Sequence, residues 1–241
     1  MLRKSTEHMP FGNASIAFCK GKMSKKTHTL SKFDDILSTI KFLHRVKKDT
    51  MKNLEQELKL QLTQREYNLI AATTDACPVV IVNNYFVAKG QTKDTMVRVR
   101  QIGDNYTLCF KRRLGFADDV MVCDERECVV DKAFADNAVA NGLGATSVNR
   151  IFDVDDFFED FAYVGSMQTT RHCFNIEQWR IELDKCDYLG KTDYELECEC
   201  THIDRLNELK NYLNYTFGVV IKSSTAKNAR FLAELERQKK A

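Results

Sequence analysis

Residues 54–60 alternate in character: Leu54, Leu58 and Leu60, with the neutral Gln56, fall on one parity, and Glu55, Glu57 and Lys59 on the other. Side chains of a strand point alternately to its two faces, so such a segment is a strand with one apolar and one charged face. The pattern recurs where Val97 and Val99 oppose Arg98 and Arg100, and where Leu196, Cys198 and Cys200 oppose Glu195, Glu197 and Glu199. Two architectures satisfy it. One is an ordinary barrel or sandwich, filled by the apolar faces and wetted on the charged ones, and it is the default. The other is inverted, with charges lining a solvated tunnel and apolar faces outside under helices. Two observations shift the reading to the inverted form. Several amphipathic helices are available as cover. The charges also segregate into acid-rich and base-rich strands, where a solvating surface mixes signs freely.

The remaining elements follow from periodicity and turn chemistry. Strands are expected over 79–87, 96–101, 106–112, 120–130, 165–174, 178–184 and 194–200. Gly103-Asp104-Asn105 is a hairpin signal between the second and third of these. Helices are expected over 63–72, 131–141 (closed by Gly142), 203–215 and 225–239, with a short acidic, aromatic helix over 153–161. The fold class is α+β: an eight-stranded antiparallel closed β-barrel covered by helices. The glycines of Gly142-Leu143-Gly144 lack the lysine and the strand-before-helix setting of a nucleotide loop.

Residues 1–50 differ from the rest. They carry 11 Lys and Arg against 4 Asp and Glu, where residues 51–241 carry 25 against 30. Residues 1–30 read as disordered. Ile36, Leu37, Ile40, Leu43 and Val46 then recur at helical spacing behind a cap signal of Ser31 and Asp34. Met51 stands directly before the first strand, so the working domain is expected over 51–241, with 1–50 an appended basic extension. No apolar run of about 18 residues and no secretory apolar region occurs, which predicts a cytoplasmic protein without a membrane span. The nine cysteines are scattered without a Cys-x-x-Cys pair and read as buried reduced thiols. The five histidines show no zinc spacing.

Carboxylates in a row on one strand face repel each other unless a divalent cation sits among them. Rows of Arg and Lys invite a polyanion such as a phosphate chain. Arg98, Arg100, Lys111, Glu125, Glu127 and Arg171 lie between the first and last acidic strands, so the residues point to a carboxylate, metal and phosphate site built on strands.

The ordered set of Glu-x-Glu-x-Lys at 55–59, Arg-x-Arg at 98–100, Lys111, Glu-x-Glu at 125–127 and the terminal Glu-x-Glu at 195–197 resembles the CYTH family, the triphosphate tunnel metalloenzymes. The likeness is strongest to the small bacterial CYTH proteins of Firmicutes and spans about residues 51–235. The resemblance implies an eight-stranded tunnel that binds a small-molecule triphosphate with Mg2+ or Mn2+. Carried over, Glu55, Glu57, Glu195 and Glu197 are metal-site carboxylates, with Glu199, Glu127 and Asp184 as partners. Lys59, Arg98, Arg100, Lys111 and Arg171 are the triphosphate clamp, joined by Lys227 and Arg230 near the C-terminus. Two departures from the family pattern are Gln61, where many members have a second basic residue, and Val87, where Asp is usual.

The implied function is metal-dependent hydrolysis of a triphosphate, inorganic, thiamine or similar. The alternatives are an adenylyl cyclase of the same fold, or a non-catalytic polyphosphate or nucleotide binder. Dense carboxylates argue against a pure anion sensor. Nucleic acid is a poor fit, because the domain lacks a basic stripe with stacking aromatics. The residues leave open the choice of general base between a carboxylate and a lysine of lowered pKa, and they do not specify an oligomeric state.

Overall fold

A computed structural model describes residues 51–117, 120–199 and 203–241, with only the backbone of 51–55 and 117 described. The disorder and amphipathic helix expected within 1–50 lie outside these residues. The elements are β1 (Met51–Leu62), α1 (Gln64–Ala71), β2 (Val79–Ala88), β3 (Thr95–Ile102), β4 (Asn105–Ala117), β5 (Val120–Val130), α2 (Lys132–Asn141) and α3 (Ala145–Phe152). They continue with β6 (Phe161–Ile176), β7 (Trp179–Tyr188), β8 (Lys191–Glu199), a 3-10 turn (Ile203–Arg205), α4 (Leu206–Phe217) and α5 (Lys227–Lys239).

The eight strands close into one barrel in the order β1-β5-β4-β3-β2-β6-β7-β8. Closure depends on β1, which pairs with β5 along 51–58 and with β8 along 57–62. Past Leu58 the β5 edge has ended, and residues 222–224 take its place. Gln61 N donates to Lys222 O at 2.9 Å, and Ser224 N to Lys59 O at 3.0 Å.

The barrel is inverted. Leu58, Val99 and Leu196 are at most 1% exposed on the outward parity. Leu58, Leu60, Ile181, Leu183, Leu196 and Cys198 pack there against Ile70 of α1 and Leu206, Leu209 and Leu213 of α4. On another wall, Phe110 of β4 meets Phe152 and Phe157 with ring centroids 5.6 and 6.0 Å apart. A strand face with this much apolar surface needs cover from water, and the amphipathic helices supply it.

The start of α1 shows why the cover sits where it does. Thr63 caps α1 in a capping box: Glu66 N donates to Thr63 Oγ1 at 3.2 Å, and Thr63 N to Glu66 Oε2 at 2.6 Å. The other Glu66 oxygen accepts from Val220 N at 2.9 Å, tying the segment after α4 to α1.

The helix expected over 153–161 is absent. Helix α3 stops before it at Phe152, with Asp153 capping it in a left-handed conformation (φ 53°), and an irregular stretch then leads into β6. The reason is local. Asn149 holds Phe157 by two side-chain to backbone bonds, of 2.7 and 3.2 Å, and Asp160 Oδ1 accepts from Ala145 N at 2.8 Å. Such bonds compete with helix hydrogen bonding. The buried face belongs instead to Ala145, Val148, Ile151 and Phe152.

Helix α5 crosses one end of the barrel. Its Phe231 enters the interior and packs with Tyr85, Met96, Met167, Cys186 and Tyr188. Gly165 makes room for it. A Cβ there would lie 2.9 Å from Phe231 Cζ, and its φ of +131° suits glycine alone. The β2–β6 register shifts beside this residue, between Tyr85 and Phe86. Gly165→Ala is therefore expected to lower stability by about 1–3 kcal/mol through strain and displacement of Phe231. A thermal melt within error of the parent protein would refute this account of α5 docking.

Candidate active site

The inward parity carries the charges. Glu57 and Lys59 come from β1, Arg98 and Arg100 from β3, Lys111 from β4, Glu125 from β5, Arg171 from β6, Glu182 from β7, Glu197 and Glu199 from β8, and Lys227 from α5. They line a cavity of about 280 Å3. Register explains the convergence: Glu57 faces Glu199 and Lys59 faces Glu197 across β1–β8, while Lys111 faces Glu125 and Arg171 faces Asp184.

The ionic groups interdigitate. Lys59 Nζ lies 2.9 Å from Glu57 and also pairs with Glu197. Lys111 Nζ bridges Glu57 at 2.9 Å and Glu125 at 3.0 Å. Arg171 grips Asp184 at 2.6 Å and Glu197 at 2.7 Å, and pairs with Glu182. Lys227 reaches Asp184 at 2.8 Å and Glu197 at 3.0 Å, and pairs with Glu195. The segregation of sign along the sequence becomes alternation across strands.

Of the residues singled out from the sequence, Glu57, Lys59, Arg98, Arg100, Lys111, Arg171, Glu197, Glu199 and Lys227 share the cavity wall. Asp184 and Glu195 are buried behind it as counter-ions. Arg230 braces that layer, at 3.1 Å from Asp193 and 2.6 Å from Glu195. Glu127 does not line the cavity but pairs with Arg100 at 3.2 Å. Glu55 lies on β1 opposite Cys123, with its side chain outside the described residues. Glu182, Asn83, Tyr85 and Arg180 were not singled out as ligands, yet they line the cavity. Glu182 shares the parity of Asp184 in 179–184, a signal the sequence does hold.

These contacts set the protonation states. Burial opposes ionisation of Glu57, but Lys59 and Lys111 more than offset it and hold the carboxyl at about 2. Burial also opposes ionisation of Glu195 and Asp184, and Lys227 with Arg230 or Arg171 pulls both below the ordinary range. Burial pulls the Lys59 amine below its usual value despite Glu57, whereas Asp184 and Glu195 push Lys227 above its own against burial. Burial pushes the Cys186 thiol up to about 11.

An acid-stability prediction follows from Glu57. Its folded-state pKa is depressed from 4.5 to about 2, so its contribution is complete above the higher value and disappears as pH falls through the lower. The metal-free protein should lose urea resistance steadily from about pH 5 to about pH 2. Equal midpoints at both ends of that window would contradict the ion-pair network.

Three polar atoms at the cavity stand out. Asn83 Oδ1, Arg98 Nε and Arg100 Nε are buried without a hydrogen-bond partner among the described residues. Arg98 is only 3.3 Å from Glu125 through its NH2. An acceptor-rich anion in the cavity would satisfy both guanidinium groups.

For a metal, the oxygen donors of Glu57, Glu197 and Glu199 suit a hard dication. Two other clusters, Cys109 with Glu125 and Glu127 and Asp184 with Cys186 and Glu195, each bring a thiol within 4.8 Å of two carboxylates. Burial raises both thiol pKa values, so these groups stay protonated and ligate poorly.

The CYTH domain profile matches residues 53–232. A candidate adenylate cyclase from Bacillus halodurans superposes with a TM-score of 0.61 at 20% identity, over 75% of this chain and 98% of its own. A candidate adenylyl cyclase from Hippeastrum, described as having a dominant triphosphatase activity, gives 0.64 at 22% identity, over 74% and 95%. A protein from Pyrococcus horikoshii gives 0.50 at 16% identity, over 75% and 99%. At these identities the likeness is one of fold, and neighbours from such different organisms tie it to no single lineage. No curated protein matches the chain by sequence. Among the described residues no helix is long and apolar enough to cross a membrane.

Proposed function

The chain belongs to the CYTH family, and from that premise we propose that it is a divalent-metal-dependent triphosphatase working inside the charged tunnel. The observation that carries this reading is the pair of under-satisfied guanidinium groups, Arg98 and Arg100, aimed into a cavity walled by carboxylates on the opposite strands. Cations alone would make an anion sensor. Carboxylates facing them add a place for Mg2+ or Mn2+, held by Glu57, Glu197 and Glu199. The ion supplies charge neutralisation on the transferred phosphoryl group when bound.

The chain's own groups do the rest. Arg98, Arg100, Lys111, Arg171 and Lys227 exchange their carboxylate partners for phosphate oxygens and hold the triphosphate in line. Asp184 and Glu195, buried behind, keep Lys227 and Arg171 charged and in position. Lys59, which pairs with Glu57 and Glu197, stays charged among them and joins the clamp when those carboxylates turn to the metal. Tunnel walls limit competing water.

Arg98→Ala and Arg100→Ala are each expected to weaken binding of a non-hydrolysed triphosphate about 10–100-fold, with metal affinity changed far less. Calorimetry checks this, and unchanged affinity in both variants would remove the clamp assignment. The activity itself is tested by supplying tripolyphosphate, thiamine triphosphate and ATP with Mg2+ or Mn2+ and resolving the products. Orthophosphate release supports the reading. Pyrophosphate with cyclic AMP from ATP makes the protein a cyclase, and binding without turnover makes it a sensor.

A further inference from the structure

Among the described residues Cys109, Cys123, Cys128, Cys186 and Cys198 are buried, and only Cys77 and Cys173 are exposed, against the expectation that all the thiols would be buried. The two lie far apart in sequence, but the β2–β6 ladder brings them together. That pairing sets Ile81 opposite Thr169 and ends with Val79 opposite Arg171. Partners in an antiparallel ladder run in opposite directions, so two further steps set Cys77 opposite Cys173. A step of two keeps the face. Ile81, Thr169 and Arg171 line the tunnel cavity, so both thiols fall on the inward parity, at the barrel end away from Phe231 of α5.

Two observations say that the two chains stay side by side past Val79. His172 Nδ1 lies 3.0 Å from Ala76 O, so the residue just before Cys77 is still tied to the residue just before Cys173. His172 is itself set against the Tyr67 ring of α1, with centroids 6.4 Å apart. Pro78 then confines Cys77 to extended backbone, which carries the direction of β2 back by one more residue. Directly opposite residues of such a pair have Cα atoms about 4.5–5.5 Å apart. That separation falls inside the range of about 4.4–6.8 Å that a disulfide spans. On its other side Cys173 stands opposite Glu182, a residue of the cavity wall that pairs with Arg171. The thiol pair therefore sits at the rim of the tunnel.

We propose that Cys77 and Cys173 form a thiol–disulfide exchange site at the tunnel rim, whose co-reactant is a low-molecular-weight disulfide of the glutathione class. One protein thiolate attacks a sulfur of the small disulfide. A mixed disulfide forms, and one small thiolate leaves and takes up the proton. The second protein thiolate attacks the protein sulfur of the mixed disulfide, forms the Cys77–Cys173 bond and expels the second small thiol. Two protein thiols are oxidised, and the small disulfide is reduced to two thiols. Exposure admits the co-reactant, which burial denies to the other described cysteines. The bond fastens the start of β2 to β6 two residues from Arg171. It closes a long loop of chain, so it stabilises the fold in large part by restricting the unfolded state.

The test treats the reduced full chain with oxidised glutathione and maps the products by peptide mass spectrometry under non-reducing conditions. A Cys77–Cys173 cross-linked peptide is expected, with the melting temperature raised by about 4 °C or more and both effects reversed by dithiothreitol. In Cys77→Ser, Cys173 should stop at the mixed disulfide with glutathione and the melting temperature should not rise. Cys173→Ser should do the same at Cys77. Separate glutathionyl groups on the two cysteines of the parent protein, no reaction at either, or a cross-link to a different cysteine overturns the site. A Cys77–Cys173 bond that forms but lowers the melting temperature also overturns it, because the strands would then have left their register to make it.

Discussion

Glu197→Gln is expected to lower turnover by at least about 100-fold while the barrel stays folded. Glu197 touches three cations, pairing with Lys59 and lying 2.7 Å from Arg171 and 3.0 Å from Lys227. It also shares the cavity wall with Glu57 and Glu199, which makes it the carboxylate best placed to serve both metal and clamp. Glutamine keeps the shape and the acceptor oxygen but removes the charge, so packing survives and the electrostatic field does not. Glu57→Gln should behave alike. Steady-state rates at limiting metal, with circular dichroism as the fold control, decide the matter. Near-normal rates in both variants would remove these carboxylates from the metal site.

The same pair of variants separates two views of the acidic strands. Read along the chain, Glu195, Glu197 and Glu199 are a self-repelling row, and neutralising one member should relieve strain. In the fold, Lys59 and Lys111 hold Glu57 ionised down to about pH 2, and Glu197 sits among three cations. Neutralisation therefore removes attraction, and both variants should melt somewhat lower than the parent protein in the absence of metal.

The difference traces to what parity can and cannot carry. Alternation assigns each side chain to a face, so Leu58, Val99 and Leu196 could be placed outside together with Glu57, Arg98 and Glu197 inside. It says nothing of which strands are neighbours. The pairing of Lys59 with Glu197 needs the β1–β8 register, across 138 residues of sequence. Lys227, Arg230 and Phe231 sit at helical spacing on α5, and nothing in that spacing says the face enters a barrel. The 222–224 segment that completes the β1 edge has no periodicity at all. The stretch after α3 misled for a different reason. Its acids and aromatics look helical in composition, but Asn149 and Asp160 spend their side chains on backbone groups.

Leu196→Asp, one residue away from Glu197, is expected to abolish the folded protein. Leu196 is fully buried on the outer face, between Leu60 of β1 and Leu183 of β7 in the sheet register. Removing a leucine from such a place costs roughly 1.5–3 kcal/mol. Burying an unpaired carboxyl adds at least several more, because it would lie among Leu58, Ile181 and the leucines of α4. The sum approaches the roughly 5–15 kcal/mol that holds a domain of this kind together. Acid offers no rescue. Lowering the pH to protonate the new carboxyl also discharges the tunnel carboxylates whose ion pairs stabilise the barrel. Leu196→Met, which conserves volume, should cost less than about 1.5 kcal/mol and serves as the control. If Leu196→Asp instead purifies as a monodisperse protein with a cooperative melt near that of the parent, the outer apolar layer is not the core. The charged face of β8 would then lose its claim to the interior, and the catalytic assignment of Glu197 with it.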